Sequence, residues 1–205
     1  IVIDGEHLSL EDVHNVSRKY ELVSISNEAY KKMQESRKTI EKVLEIGNPV
    51  YGVNTGFGAL ANVRISKDKL RDLQRNIVLS HSAGIGEYLP EDIVRAMVLI
   101  RANALAKGYS GVRPVVVEKI VELLNKKITP LVPEKGSVGA SGDLAPLSHI
   151  AMSVIGEGKV LYNGKIVDIN KTDFVPIELE EKEGLSLING TQFMAAHLAL
   201  IVRDL

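Results

Sequence analysis

The chain has 205 residues, 45% of them hydrophobic and 25% charged, which is ordinary for a globular protein and supplies enough apolar material for a core. Its formal net charge is -1, so no global basic field draws nucleic acid or an anionic membrane, and neither is expected as a partner. It has no cysteine, which excludes disulfides, thiolate catalysis and cysteine-ligated zinc.

In chain order, Ile1-Val2-Ile3 before Asp4-Gly5 predicts a short strand and turn. Ser9 is a fitting N-cap for a helix through about Arg18, with Glu11 and Asp12 in its first turn where the dipole favours negative charge. Ser26 caps a longer helix closed by Gly47, with Ala29, Met33, Ile40, Val43 and Leu44 as its apolar stripe. Pro49 to Ile65 reads as glycine-rich loop, and Ser66 starts a helix through about Ser82. Pro90 sits near the first turn of the next helix, where Ile93, Met97, Ile100 and Ala104 share a face until Gly108 and Gly111. Pro114 opens a helix through about Lys126. Ile128 to Gly139, with two prolines and two glycines, reads as loop, and a helix follows from about Leu144 to Ile155. Lys159 to Val167 is a hairpin, because Asn163-Gly164 suits the positive φ angles of a type I′ turn. Glu178 to Glu183 is expected to be exposed, and Thr191 to Leu205 to be an amphipathic helix. The fold class is therefore mainly α with a small β contribution. No apolar run reads as long enough to span a bilayer. The first residues show no signal peptide, so the cytoplasm is the expected compartment.

The chemistry concentrates in Gly136-Ser137-Val138-Gly139-Ala140-Ser141-Gly142-Asp143-Leu144-Ala145-Pro146-Leu147. The Gly142 nitrogen can attack the Ala140 carbonyl carbon and close a five-membered ring. Loss of two waters, one using the Ser141 hydroxyl, then leaves an exocyclic methylene at the Ser141 Cβ. The product is a methylidene-imidazolone, an electrophile made from backbone. Glycine at the attacking position has no Cβ to block approach. Two other readings of the glycine spacing remain open at this point. It could be a tight loop entering a helix, or a phosphate cradle at a helix N-terminus, although it lacks the Walker lysine and the dinucleotide fingerprint.

Other residues have ordinary roles beside possible functional ones. Tyr51 lies in a glycine-flanked loop and could be an edge tyrosine. His81 closes a helical stretch, where a histidine is usually a cap or surface residue. Asn189 precedes the last helix, where asparagine is a good N-cap. His7, His14, His149 and His197 show no metal-ligand spacing, and no metal ligands are assigned.

On Gly136 to Leu147 the chain resembles the aromatic amino acid ammonia-lyase family. Three further segments agree in the family's order: Tyr51-Gly52-Val53-Asn54-Thr55-Gly56-Phe57-Gly58, Ser80-His81-Ser82-Ala83-Gly84-Ile85-Gly86 and Leu187-Ile188-Asn189-Gly190-Thr191-Gln192. The likeness runs from Asp4-Gly5 to the last residues. It implies a mixed N-terminal region feeding long bundle helices, a homotetramer, and a methylidene-imidazolone (MIO) prosthetic group formed from Ala140, Ser141 and Gly142, with no metal and no nucleotide. It implies Tyr51 as the base for the β-proton and Asn189 as a substrate or prosthetic-group contact near the amino-acid carboxylate, while Asp143 could either help ring formation by hydrogen bonding or proton transfer or be an ordinary helix-start carboxylate. The Ser80-His81 pair is similar to members that act on histidine, where His81 would meet the substrate imidazole. L-Histidine is then the expected substrate and trans-urocanate the product. Tyrosine or phenylalanine lyases, an aminomutase, and a non-catalytic fragment are the alternatives. Family members are much longer, so residues 1–205 are expected to be the prosthetic-group-bearing N-terminal portion, without the C-terminal helical part.

Overall fold

A computed structural model describes residues 1–56, 67–139 and 142–205. Ala140 and Ser141 lie outside the described residues, as do Phe57 and Gly58 of the tyrosine segment.

The N-terminal strand β1 (Val2–Ile3) pairs in parallel with β2 (Ser24–Ile25), a partner the sequence reading did not anticipate. Between them lies α1 (Leu10–Arg18), which begins with a complete capping box. The Asp12 amide donates to the Ser9 hydroxyl and the Ser9 amide donates to the Asp12 carboxylate, so two otherwise unpaired donors are satisfied. Helix α2 (Asn27–Ile46) is capped by Ser26 and closed by Gly47 in the left-handed region at φ 75°, as expected. Helix α3 (Lys67–His81) leads through a short turn into β3 (Ile85–Tyr88).

Helix α4 (Glu91–Ala106) is the centre of the core and packs against α1, α5 (Pro114–Asn125) and α8 (Gln192–Asp204). The sequence reading placed its core face on Ile93, Met97, Ile100 and Ala104. Of these only Met97 is fully buried; the core side runs through Val94, Met97, Val98, Leu99, Ala102 and Leu105. With apolar residues on nearly every face, periodicity could not select one side, and the helix is buried almost all round.

Residues 128–139, expected as loop, contain β4 (Thr129–Pro130) and β5 (Pro133–Lys135). Both are short and carry proline, which an edge strand tolerates because no ladder donor is needed there. β4 is the outer strand beside the hairpin of β6 (Lys159–Tyr162) and β7 (Lys165–Asp168), whose Asn163-Gly164 turn forms as expected. β5 pairs antiparallel with β3.

Helix α6 (Leu144–Val154) packs on α3 and α7 (Glu183–Ile188). The acidic stretch before α7 is not simply exposed. The Glu183 side chain is fully buried and receives the Arg113 guanidinium at 2.8 Å, while Arg37, itself buried, donates to Glu180 and Glu181. A buried carboxylate requires such partners, and a charge-run rule cannot see residues that arrive from α2 and the start of α5. The stretch Glu183–Asp204 is long and apolar enough by composition to cross a membrane, contrary to the sequence reading. It is broken into α7 and α8, and Leu187, Ile188, Ala196 and Leu200 belong to the core.

Candidate active site

The segment before α6 is a closed knot of short-range hydrogen bonds. The Val138 amide donates to the Gly142 carbonyl at 3.0 Å, and the Gly142 amide donates to the Gly139 carbonyl at 2.5 Å. The Ser137 hydroxyl accepts the Gly139 amide at 3.3 Å and donates to Asp143 Oδ1 at 2.5 Å. The Val138, Gly139 and Gly142 amides are thus spent inside the loop and are not free to hold a phosphate. Position 142 admits only glycine: a Cβ there would lie 2.3 Å from Val138 Cγ2 and 2.9 Å from the Gly139 carbonyl oxygen. Gly142 thus sits in a cradle that a side chain would fill, which fits a residue required to close a ring with its neighbours. Ala140 and Ser141, the other two ring residues, fall outside the described part.

Asp143 precedes α6 but does not cap it. Its side chain is fully buried and uses both oxygens, accepting from Ser137 through Oδ1 and from the Met194 amide at 3.2 Å through Oδ2. Met194 lies in the first turn of α8, where backbone donors lack helical acceptors. One carboxylate therefore ties the 136–142 loop to the helix that follows the Asn189 segment.

Asn189 is not the N-cap of that helix. It is the C-cap of α7, with its amide on the Leu185 carbonyl at 3.0 Å, and Thr191 occupies the N-cap of α8. The Asn189-Gly190-Thr191 turn joins the two helices and Asn189 is exposed.

His81 ends α3. Its Nδ1 lies 2.8 Å from the Ile77 carbonyl, which can only accept, so Nδ1 carries the hydrogen and the neutral ring keeps its lone pair on Nε2. Ser80 Oγ stands 3.1 Å from the same Nδ1. The turn after His81 is attached to α6, because the Gly84 amide donates to His149 Nε2 at 3.2 Å. Gly84 also abuts Gly136: a Cβ on Gly136 would come within 3.4 Å of its Cα. Burial holds the His149 imidazole below the usual histidine pKa, hence neutral and able to accept.

The fold thus brings together the 80–86, 136–149 and 187–192 segments. Tyr51 is exposed on a turn after α2, in which Asn54 accepts the Val50 amide at 2.8 Å and donates to the Asn48 carbonyl. Contacts that join the other three segments run through Gly84, Asp143 and Met194. Ser137 and His149 were missed as site-building residues. Ser137 could have been found by asking what a buried Asp143 must hydrogen-bond. His149 carries no signal, since its partner is a backbone amide far away in the chain. Among the described residues no three histidine, aspartate or glutamate side chains cluster as a metal site.

Residues 8–205 match the family model described as aromatic amino acid lyase. The chain is 50% identical over 200 residues to a histidine ammonia-lyase of a Geobacillus, covering 96% of this chain and 39% of that protein. It is 48% identical over 205 residues to a probable histidine ammonia-lyase of Thermoplasma volcanium, covering 98% of this chain and 41% of that one. Among solved structures it is similar to the tyrosine aminomutase of Streptomyces globisporus, with TM-score 0.91 and 43% identity, over 99% of this chain and 39% of that one. It therefore spans about 40% of the length of the curated relatives it matches. The chain belongs to the aromatic amino acid lyase family.

Proposed function

We propose that this chain is the N-terminal, electrophile-bearing portion of a histidine ammonia-lyase, which eliminates ammonia from L-histidine to give trans-urocanate. The observation that carries the reading is the Asp143 junction, which ties the glycine-cradled 136–142 loop to the first turn of α8 beside the Asn189 turn. Curated histidine ammonia-lyases at 48–50% identity over nearly the whole chain support it.

The ring formed from Ala140, Ser141 and Gly142 supplies an electrophilic methylene to the substrate amine. The chain's own residues do the rest. Tyr51 takes the β-proton at its phenol oxygen. The His81 Nε2 lone pair accepts an imidazole N–H of the substrate. The Asn189 amide donates toward the amino-acid carboxylate. Asp143 fixes the loop that presents the ring. A cytoplasmic homotetramer is the compartment and assembly that the family resemblance supports.

The test is the absorbance of urocanate when the full-length protein is given histidine. Absorbance rises with the wild type and stays flat with Ser141→Ala; wild-type turnover by Ser141→Ala overturns the reading. The likeness to a tyrosine aminomutase at 43% identity favours one second reading, migration of the amine on tyrosine. Consumption of tyrosine in preference to histidine, without release of ammonia, would select it.

A further inference from the structure

Arg101 is 5% exposed in the middle of α4, the central helix of the core. Its Nη1 donates to Gln192 Oε1 at 3.1 Å, and its buried Nε has no partner among the described residues. No carboxylate among those residues pairs with it, and the loss of hydration on burial pushes its pKa down to about 10. Lys182 nearby has the same sign, and its own pKa is lowered by burial and by Arg101. A buried guanidinium without a counter-ion is costly, and an apolar residue of similar volume would fill this place more stably. What Arg101 holds is therefore informative.

It holds the turn that carries Asn189. Gly190 lies directly against the Arg101–Gln192 pair: a Cβ on Gly190 would be 2.1 Å from Gln192 Oε1 and 2.5 Å from Arg101 Nη1. Gln192 is the first residue of α8, whose third residue, Met194, is bound to Asp143. The start of α8 is thus fixed at two points, to α4 through Gln192 and to the 136–143 segment through Met194. We propose that Arg101 is a positioning residue for the amino-acid site, fixing the Asn189-Gly190-Thr191 turn through Gln192 and so setting where the Asn189 amide points.

The role rests on the function proposed above, and its test separates the two. Arg101→Met keeps the length and removes the charge and the donors. Arg101→Lys keeps the charge. Gln192→Leu breaks the same hydrogen bond from the other side and serves if the arginine variant does not fold. In the full-length protein, amide hydrogen exchange across residues 189–192 reads the turn without any substrate. Exchange there is expected to rise about tenfold or more in Arg101→Met and in Gln192→Leu. Both variants should still show the two-water mass deficit. With histidine, KM is expected to rise about tenfold in Arg101→Met with kcat changed far less, and to return within about threefold of wild type in Arg101→Lys. In a double-mutant cycle with Asn189→Ala the losses should be less than additive, because both remove one contact. Unchanged exchange at 189–192, or an unchanged KM despite a lowered Tm, would overturn the role of Arg101. Faster exchange in a protein whose wild type does not convert histidine would instead leave the turn-fixing role standing and reject the substrate.

Discussion

Asp143 joins two segments of the candidate site through one carboxylate. It is fully buried, and losing its carboxylate would leave the Ser137 hydroxyl and the Met194 amide without their acceptor. Asp143→Ala is expected to destabilise the fold by about 2–3 kcal/mol, the usual scale for stranding buried donors; urea midpoints check it, and an unchanged midpoint would show that the junction is idle. His149 gives a prediction with a sign. Its folded-state pKa is depressed by burial below the ordinary value near ~6.5, so the unfolded chain binds the proton more readily. The contribution of His149 is fully present above that ordinary pKa and is lost as pH falls through the folded one. Between pH ~7 and pH ~5, wild type should lose more stability than His149→Gln, by denaturant midpoints at each pH; parallel losses would contradict it. Tyr51→Phe in a full-length protein should keep the two-water deficit and lose turnover, and substantial kcat would place the base elsewhere. Part of the candidate site was legible in the sequence. The family motifs pointed to Tyr51, His81, Asp143 and Asn189, and the glycine requirement at position 142 is visible as a cradle. Ser137, His149 and Arg101 were not, because their meaning depends on backbone partners or on residues distant in the chain.

At the scale of elements, local signals were reliable and long-range ones were not. The Ser9 N-cap, the Ser26 cap with Gly47, and the Asn163-Gly164 hairpin all formed as read, since each is settled within a few residues. The β1–β2 and β3–β5 pairings were invisible, because two or three residues of strand carry no periodicity and their partners lie far along the chain. The acidic stretch before α7 was misread for the same reason. Arg113 brings its own amide and its guanidinium to Glu183, and Arg37 stands 4.0 Å from the same carboxylate. Glu183→Gln should cost about 3 kcal/mol, because breaking one partner leaves buried charge uncompensated. The reading is the chemical-denaturation free energy of the chain. A change under about 0.5 kcal/mol, the scale of an ordinary surface substitution, would mean that the network adds nothing.

For the molecule as a whole, the face of α8 turned away from α4 is the unusual feature. Met194, Leu198, Ile201, Val202 and Leu205 are exposed along it, whereas Ala196 and Leu200 pack into the chain's own core. The burial of Ala196 and Leu200 shows that the chain's own core, with α4 against α8, already covers that face. An apolar stripe of this kind promotes association. The 205-residue chain alone is expected to self-associate in sedimentation velocity, and Leu198→Glu with Ile201→Lys to shift it toward monomer; a monomeric wild-type chain at high concentration would contradict this. The same chain is expected not to turn over histidine, since it spans about 40% of the length of its curated relatives.

In the proposed function Ala140, Ser141 and Gly142 become an electrophile in the full-length protein. Intact mass tests it most directly. The wild type should weigh less than its sequence by two waters and Ser141→Ala should weigh what its sequence predicts. A catalytically active wild type at full sequence mass would contradict the account.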